Sequence, residues 1–259
     1  MRAPGRWLLR LTLLLLILAA PLGVSWLTYT PPDSPWSAAS RASADLAPDP
    51  RELADTAIVQ VYTARTYGWR GYFATHPWII LKRAGDTAFT RYDVVRWRGG
   101  GDGVVRRDYT VADGFWYGAE PRLLVSHQGG DTGAMIDAIE AAIEDYPFRD
   151  RYRSFPGPNS NTFLAHIGRQ VPALALDLPP TAIGKDYRPL NRPAGHAPSG
   201  GGVQLSILGL FGVIVAPVEG LEINVLGLGY GVDPWPPALR LPGLGRVGAA
   251  PERWSSSDG

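Results

Sequence analysis

The stretch PNSNTF at residues 158–163 ends a loop that is broken by proline and glycine. An apolar helical pattern follows at Phe163, Leu164, Ile167 and Val171. The first turn of a helix carries free backbone N–H groups and the positive end of the helix dipole. Ser160 is therefore a candidate nucleophile. Because Asn and Ser are also preferred helix caps, a purely structural cap at Asn159-Ser160 is the alternative.

A possible base for this serine lies upstream. Two strand-like runs, residues 72–83 and 86–98, flank the dipeptide Ala84-Gly85, which favours a β-hairpin with a two-residue turn. In that register His76 falls opposite Asp93 on a mostly apolar face, where a carboxylate would orient an imidazole base. A slip of one residue would remove Asp93 from this position. The alternative is a buried histidine that a neighbour satisfies.

The remaining pattern predicts an α+β domain in which an antiparallel sheet packs with two main helices. A first strand is predicted at residues 58–64. The first main helix is capped by Asp131 or Thr132 and stops at Pro147. The second begins at Ser160.

The C-terminal run at residues 203–232 is apolar, but glycines interrupt it and polar residues alternate with apolar ones. Gln204 and Glu222 are polar members of this period-two pattern. The pattern predicts an apolar β-hairpin that turns near residues 217–220. A second membrane helix is the weaker alternative, because each half is short and carries polar residues.

Composition limits the classes of function. The chain has 259 residues, a formal net charge of +1 and no cysteine, which excludes disulfides and thiolate chemistry. The charge is too balanced for electrostatic capture of nucleic acid. His127, His166 and His196 are isolated, so no metal site is predicted, and nothing indicates a cofactor. Almost all positive charge is arginine, since the only lysines are Lys82 and Lys185.

The N-terminus predicts a membrane partner. Arg2, Arg6 and Arg10 precede an apolar run at residues 11–27, which fits a retained signal-anchor, with a cleaved signal peptide as the alternative. The positive-inside rule keeps the arginines in the cytoplasm and exports the rest. We therefore expect a single N-terminal span with the domain on its exported side; in a bacterium these would be the inner membrane and the periplasm.

The composition divides the chain into four regions. Residues 1–27 form the signal-anchor, and residues 28–50 are a linker rich in Pro, Ser, Ala and Asp. The globular domain covers residues 51–233. A tail rich in Pro, Gly and Ser follows at residues 234–259 and is predicted to be partly disordered.

Two resemblances add to this interpretation. Residues 156–163 (PGPNSNTF) and 178–187 (LPPTAIGKDY) resemble the bacterial domain-of-unknown-function family 3750, over roughly residues 50–235. More distantly, NSNTF is similar to the Asn-Cys-Asn-Thr-Phe motif of permuted papain-like peptidases, the PPPDE group, and the lecithin–retinol acyltransferase-like enzymes share the general layout. This resemblance implies a permuted papain-like fold in which a histidine on an early strand precedes the nucleophile. Serine stands here in place of the cysteine, and a hydroxyl is harder to ionise than a thiol.

Two functions follow as hypotheses. The first is a non-catalytic binding or structural module of the envelope, whose candidate ligands are a peptide, a glycan or a lipid. The second is a serine-dependent hydrolase or acyltransferase acting on an envelope peptide, amide or acyl group. Its nucleophile would be Ser160, its base His76 and its orienting residue Asp93. Asn159, Asn161 and Thr162 would support the loop and the oxyanion donors. The sequence predicts no oligomeric state.

Overall fold

The computed structural model describes residues 4–96 and 103–249. Within these residues the chain has two antiparallel sheets and three α-helices, so the predicted α+β class is confirmed. The helices are α1 (Pro4–Thr28), α2 (Thr132–Glu144) and α3 (Ser160–Gln170). Most of the glycine-rich loop at residues 99–103, the end of the predicted strand at 86–98, and the last ten residues of the predicted tail lie outside the described part.

The first sheet has five strands in the order β4-β3-β2-β1-β5, and all neighbours are antiparallel. Its strands are β1 (Ile58–Arg65), β2 (Thr75–Lys82), β3 (Thr90–Val94), β4 (Val105–Arg107) and β5 (Arg122–Gln128). All eight residues of β2 are buried. Because successive side chains of a strand point to opposite faces, the centre of this sheet is covered on both sides.

One face of the five-stranded sheet packs against α2 and α3. β2 contributes Ile79 and Leu81 to this layer, and α3 contributes Phe163 and Ile167, all at most 3% exposed. The apolar residues of α3 recur at helical spacing, so one side of the helix faces the sheet. This packing fixes α3 across the middle of the sheet.

The opposite face is covered by loops and by the segment before β1. Tyr62 and Trp78 point into this second layer and pack with Trp116. The segment predicted to be a linker takes part, since Ala39 is buried here and Trp36 packs against the cluster. The structure differs from the linker prediction because an apolar sheet face needs a cover, and this segment supplies apolar side chains for it.

The connection between β2 and β3 also differs from the prediction. Asp86 donates its backbone N–H to the carbonyl of Arg83 at 3.2 Å, so a tight turn does form at Ala84-Gly85. The chain continues beyond this turn to Thr90 before it pairs again, and Ile80 then pairs with Arg91. The predicted two-residue hairpin is therefore wrong, and the register is shifted by an even number of residues. An even shift keeps each side chain on its predicted face.

The second sheet has seven antiparallel strands in the order β12-β11-β10-β9-β8-β7-β6. They are β6 (Ala194–Gly195), β7 (Val203–Ile207), β8 (Phe211–Ala216), β9 (Gly220–Val225), β10 (Leu228–Pro234), β11 (Pro237–Leu241) and β12 (Gly245–Gly248). The predicted turn near residues 217–220 is confirmed, because Ala216 pairs with Gly220 across it. Strands β11 and β12 occupy part of the tail for which the composition predicted partial disorder.

Each half of the predicted C-terminal hairpin is itself a hairpin. Leu226 and Gly227 connect β9 to β10 with φ angles of 53° and 81°, and two such positive values are typical of a two-residue hairpin turn of type I′. Leu208 and Gly209 have φ angles of 55° and 72° between β7 and β8. The periodicity predicted the strand conformation correctly, but it did not locate these two turns.

One described helix is long and apolar enough to cross a membrane. It covers Arg6–Thr28 of α1, with a mean hydropathy of 2.1, and by length and composition it also fits a signal sequence. Its C-terminal part packs on the domain. Ser25 is 1% exposed and donates its hydroxyl to the carbonyls of Tyr72 and Gly243. The α1 helix is therefore joined to both halves of the domain.

Candidate functional site

The N-terminus of α3 is closed by a capping box. Ser160 is the first residue of α3, as predicted, and Asn159 is the N-cap. Asn159 Oδ1 accepts the backbone N–H groups of Asn161 at 2.9 Å and Thr162 at 3.2 Å. Thr162 Oγ1 accepts the N–H of Asn159 at 3.1 Å. The cap is therefore Asn159, and two N–H groups expected as oxyanion donors already have a partner.

The same residues join α3 to the loop that follows it. Asn159 Nδ2 and Asn161 Nδ2 both donate to the carbonyl of Ile183, at 2.9 and 2.8 Å. Thr162 Oγ1 donates to the carbonyl of Gly184 at 2.7 Å. Gly184 has a φ of +98°, and a Cβ there would lie 2.4 Å from Asn159 Nδ2, so only glycine fits. These hydrogen bonds join residues 156–163 to residues 178–187, the two stretches that resemble family 3750.

Ser160 lies beside the start of β2. Asn161 Nδ2 also donates to the carbonyl of Thr75 at 3.1 Å, which ties the first turn of α3 to this strand. Ser160 is 3% exposed. The candidate nucleophile is thus enclosed within the fold.

A second polar group is centred on Asp93. His76 Nε2 lies 3.1 Å from Asp93 Oδ1, and Arg91 donates through Nε and Nη2 to the same carboxylate at 2.6 and 3.0 Å. These side chains are at most 5% exposed. The predicted adjacency of His76 and Asp93 is confirmed. When the observed register is extended by one residue, Asp93 falls opposite Trp78, so that it reaches His76 along the diagonal.

Burial and charge set the protonation states in this group. Burial lowers the pKa of His76 below its ordinary value, by more than the Asp93 carboxylate raises it. Burial alone would raise the pKa of Asp93, but Arg91 and His76 hold it below its ordinary value. At neutral pH the imidazole is neutral and the carboxylate is ionised, which is the ground state of a base and its orienting residue. The imidazole also stacks on Trp116, with ring centroids 3.6 Å apart and planes at 5°.

His76 and the body of the helix that begins at Ser160 pack on opposite faces of the five-stranded sheet. His76 stacks on Trp116 in the layer without helices, whereas α3 packs on the other face through Phe163. Within the described part of the chain, no hydrogen bond joins Ser160 to His76 or to Asp93. The structure thus brings His76 to Asp93 and packs the helix that carries Ser160 against the other face of the sheet.

A buried charge cluster that no local sequence pattern predicted lies between the segment that follows α3 and the second sheet. Arg240 Nη2 donates to Asp177 Oδ1 at 2.9 Å, and Arg240 Nε donates to Glu222 Oε2 at 2.8 Å. Lys185 Nζ lies 2.7 Å from Glu222 Oε1. All four side chains are at most 3% exposed. The available signal was the polar alternation at Glu222, but nothing local indicated its partners.

Each charge in this cluster has a partner of opposite sign within it. Burial alone would lower the pKa of Arg240, but Asp177 and Glu222 raise it above its ordinary value. Burial alone would raise the pKa of Glu222, but Lys185 and Arg240 lower it. Since these charges neutralise one another, the arrangement fastens the second sheet to the domain. Among the described residues, no group of three His, Asp or Glu side chains could hold a metal ion.

One family model covers both the polar group around Asp93 and the capping box at the start of α3. A family model described as "Protein of unknown function (DUF3750)" matches residues 56–187. The matched stretch contains β1 to β5, both main helices and the loop docked on α3. No curated protein and no solved structure matches the chain.

Proposed function

The chain belongs to the DUF3750 family of proteins of unknown function, and for this member we propose a membrane-anchored, exported module of the bacterial envelope without catalytic activity. Its action would be to bind or brace a component of the envelope. The observation that carries this proposal is that His76 and the helix of Ser160 pack on opposite faces of the sheet, with no hydrogen bond between the two side chains. In this interpretation, residues 159–163 (NSNTF) have a structural role, which is to join the start of α3 to the loop that follows the helix.

Two further observations support the absence of catalysis. The oxyanion of an acyl-transfer reaction needs free N–H donors aimed at it, and Asn159 already accepts the N–H groups of Asn161 and Thr162. A serine hydroxyl also needs a base within hydrogen-bond reach. Both observations argue against the enzyme hypothesis at Ser160.

Descent from a papain-like hydrolase is part of the same proposal. In its favour, His76 lies on an early strand, bonds Asp93 on the next strand, and precedes a serine at the start of a helix. The His76–Asp93 bond is also the one observation that favours the alternative, a serine-dependent hydrolase or acyltransferase. In that alternative a rearrangement would have to carry Ser160 to His76.

A serine-directed fluorophosphonate probe separates the two functions. We expect no labelling of the wild-type protein, because no hydrogen bond joins Ser160 to His76 and two of the N–H groups beside Ser160 are already bonded to Asn159. The Ser160→Ala variant is the matched control for labelling elsewhere. The chain has no cysteine, so Ser160→Cys creates a single thiol. Its alkylation should be slower than that of the same thiol in urea-unfolded protein, because the site is enclosed.

Stoichiometric labelling of the wild-type protein that disappears in both Ser160→Ala and His76→Ala would contradict the proposal. Fast alkylation of Ser160→Cys that depends on His76 would do the same, since it would reveal a thiolate formed beside an imidazole. Either result would establish the hydrolase alternative.

Membrane anchoring gives a second prediction. Arg2, Arg6 and Arg10, which precede the apolar run at residues 11–27, should stay in the cytoplasm. A reporter enzyme that is active only in the periplasm, fused after the last residue, should therefore be active. A reporter that is active only in the cytoplasm should be silent at the same position.

Carbonate extraction and the mass of the protein from the same cells distinguish a retained anchor from a cleaved signal peptide. A retained anchor should leave the protein in the membrane after carbonate extraction, with the intact mass of the translated chain. A lighter protein released by carbonate would show that the segment is removed. An active cytoplasmic reporter would contradict the export of the domain.

A further inference from the structure

The seven-stranded sheet presents an apolar surface to the outside. We call this surface the outer face, and it is represented on six successive strands by Leu205, Val215, Ile223, Val232, Leu239 and Val247. Each of these side chains is between 47% and 52% exposed. Their cross-strand pairing makes the surface continuous, since Leu221 pairs with both Val215 and Val232, and Leu239 pairs with both Val232 and Val247.

The inner face of the same sheet is polar. Gln204, Glu222, Asn224 and Arg240 alternate with the residues of the outer face and are at most 4% exposed. An antiparallel sheet at the surface of a water-soluble protein has the opposite arrangement, with its apolar side inward. Strands that are polar inside and apolar outside are typical of β-sheets whose outer surface contacts lipid.

The outer face is large for an exposed apolar surface. With strands about 4.8 Å apart and about 3.4 Å of rise per residue, the sheet presents roughly 30 by 20 Å, or about 600 Å². The largest apolar patch on a typical soluble monomer is about 300–600 Å². A shallow apolar groove of about 420 Å³ lies on this face between Val215, Leu221 and Val232.

The anchor helix determines how deep this sheet lies. Tyr230 on β10 donates its hydroxyl to the carbonyl of Leu18 at 2.9 Å. At about 1.5 Å per residue, Leu18 is about 15 Å along α1 from its last residue, Thr28. The hydrocarbon core of a bilayer is about 30 Å thick. A domain that contacts α1 at Leu18 therefore reaches well into one leaflet when α1 crosses the membrane.

From these observations we propose that the outer face lies in the lipid of the leaflet on the exported side, with acyl chains covering it. The inference rests on the proposed function in one respect, the crossing of the membrane by α1. A second copy of the chain would cover the apolar side chains, but it would leave the contact at Leu18 unexplained. The backbone N–H and C=O groups of the inner strands are paired by the hydrogen bonds of the sheet. Since the edge strands β6 and β12 are short, few unpaired backbone groups would contact lipid.

Spin labels on the full-length protein in vesicles test this placement. Because the chain lacks cysteine, Ile223→Cys and Val111→Cys each give one labelled site. Val111 is the matched control, since it is an aliphatic side chain 48% exposed, against 51% for Ile223, and lies outside the second sheet. The proteins are reconstituted in phosphatidylcholine–phosphatidylglycerol vesicles. Collision rates are measured with oxygen, which partitions into lipid, and with a water-soluble nickel chelate.

At Ile223 the oxygen collision rate should exceed that of the nickel chelate, and the order should reverse at Val111. Val215→Cys repeats the measurement on the neighbouring strand if the Ile223 variant is poorly folded. A nickel rate that exceeds the oxygen rate on the outer face would overturn the proposal, because the face would then be in water. Low rates for both reagents, with dipolar broadening between labels, would also overturn it and indicate a second copy.

The proposed function and this inference fail separately. If carbonate extraction and the periplasmic reporter show that α1 spans the membrane while Ile223 is in water, only the lipid contact is wrong. If the fluorophosphonate probe labels Ser160, the absence of catalysis is wrong whatever the collision rates are.

Discussion

Replacement of Arg240 by methionine should lower the free energy of unfolding by about 3–5 kcal/mol, the usual cost of removing one partner from a buried ion pair. Arg240 is fully buried and donates to both Asp177 and Glu222. Without the guanidinium, Asp177 loses the hydrogen bonds that Arg240 donates to it. Glu222 loses one of its two buried cationic partners and keeps Lys185. Urea unfolding of the detergent-solubilised protein, followed by tryptophan fluorescence, measures the change.

Arg51→Met is the matched control, because Arg51 pairs with Asp49 at the exposed surface. It should change the stability far less than Arg240→Met. Removal of both partners in Arg240→Met with Asp177→Leu should recover part of the loss, since an isolated buried charge is costlier than none. A loss below about 1 kcal/mol in the single variant, the range of a surface ion pair, would show that the cluster does not fasten the second sheet.

Asp93→Asn should also cost about 3–5 kcal/mol, for the same reason of an uncompensated buried charge. Arg91 is 1% exposed and would lose its anionic partner, keeping only neutral acceptors, namely the new amide oxygen at position 93 and the carbonyls of Val111 and Ala112. The Asp93 carboxylate has a pKa below its ordinary value of 3.8. A lowered pKa stabilises the fold above the unfolded value, so this contribution should persist at neutral pH and disappear only below pH 3.8.

The control for Asp93 is Asp137→Asn, which removes an exposed partner of Arg83. Equilibrium unfolding of the two variants at neutral pH gives the comparison. If Asp93→Asn leaves the stability at the level of the control, Asp93 does not anchor Arg91. The carboxylate would then be free to serve as the orienting residue that the hydrolase alternative requires.

Patterns within one element predicted much of the architecture. The helix at Ser160, the helix at Thr132 and the turn before Gly220 all occur where local residues indicated them. These features depend on capping and on periodicity, which neighbouring residues determine. Helix starts and the strand conformation were therefore predictable from sequence alone.

Features that depend on distant residues were not predictable in the same way. Ala84-Gly85 does make a turn, but the pairing of β2 with β3 resumes only at Thr90, since the hairpin is longer than its tightest turn. The period-two pattern placed His76 on an inward face. Because both faces of the sheet are covered, the pattern did not show that His76 turns away from the helix that carries Ser160.

The buried charges illustrate the same limit. Arg240 and Asp177 are 63 positions apart, and neither has a local feature that names its partner. The sequence showed that the chain has only two lysines, but not that both Lys82 and Lys185 would be fully enclosed. Charged residues in a Pro- and Gly-rich segment resemble solvated ones until the tertiary fold is known.

The contacts that hold α1 to the second sheet also impose an order on biosynthesis. Tyr230 is 212 positions from Leu18, and Gly243 is 218 positions from Ser25. The helix is translated before these partners, so the two bonds form only after the strands of the second sheet have followed it. A chain truncated before β10 would keep α1 but would lack Tyr230 and Gly243. In such a chain the second sheet would have neither of the hydrogen bonds with which it holds the helix.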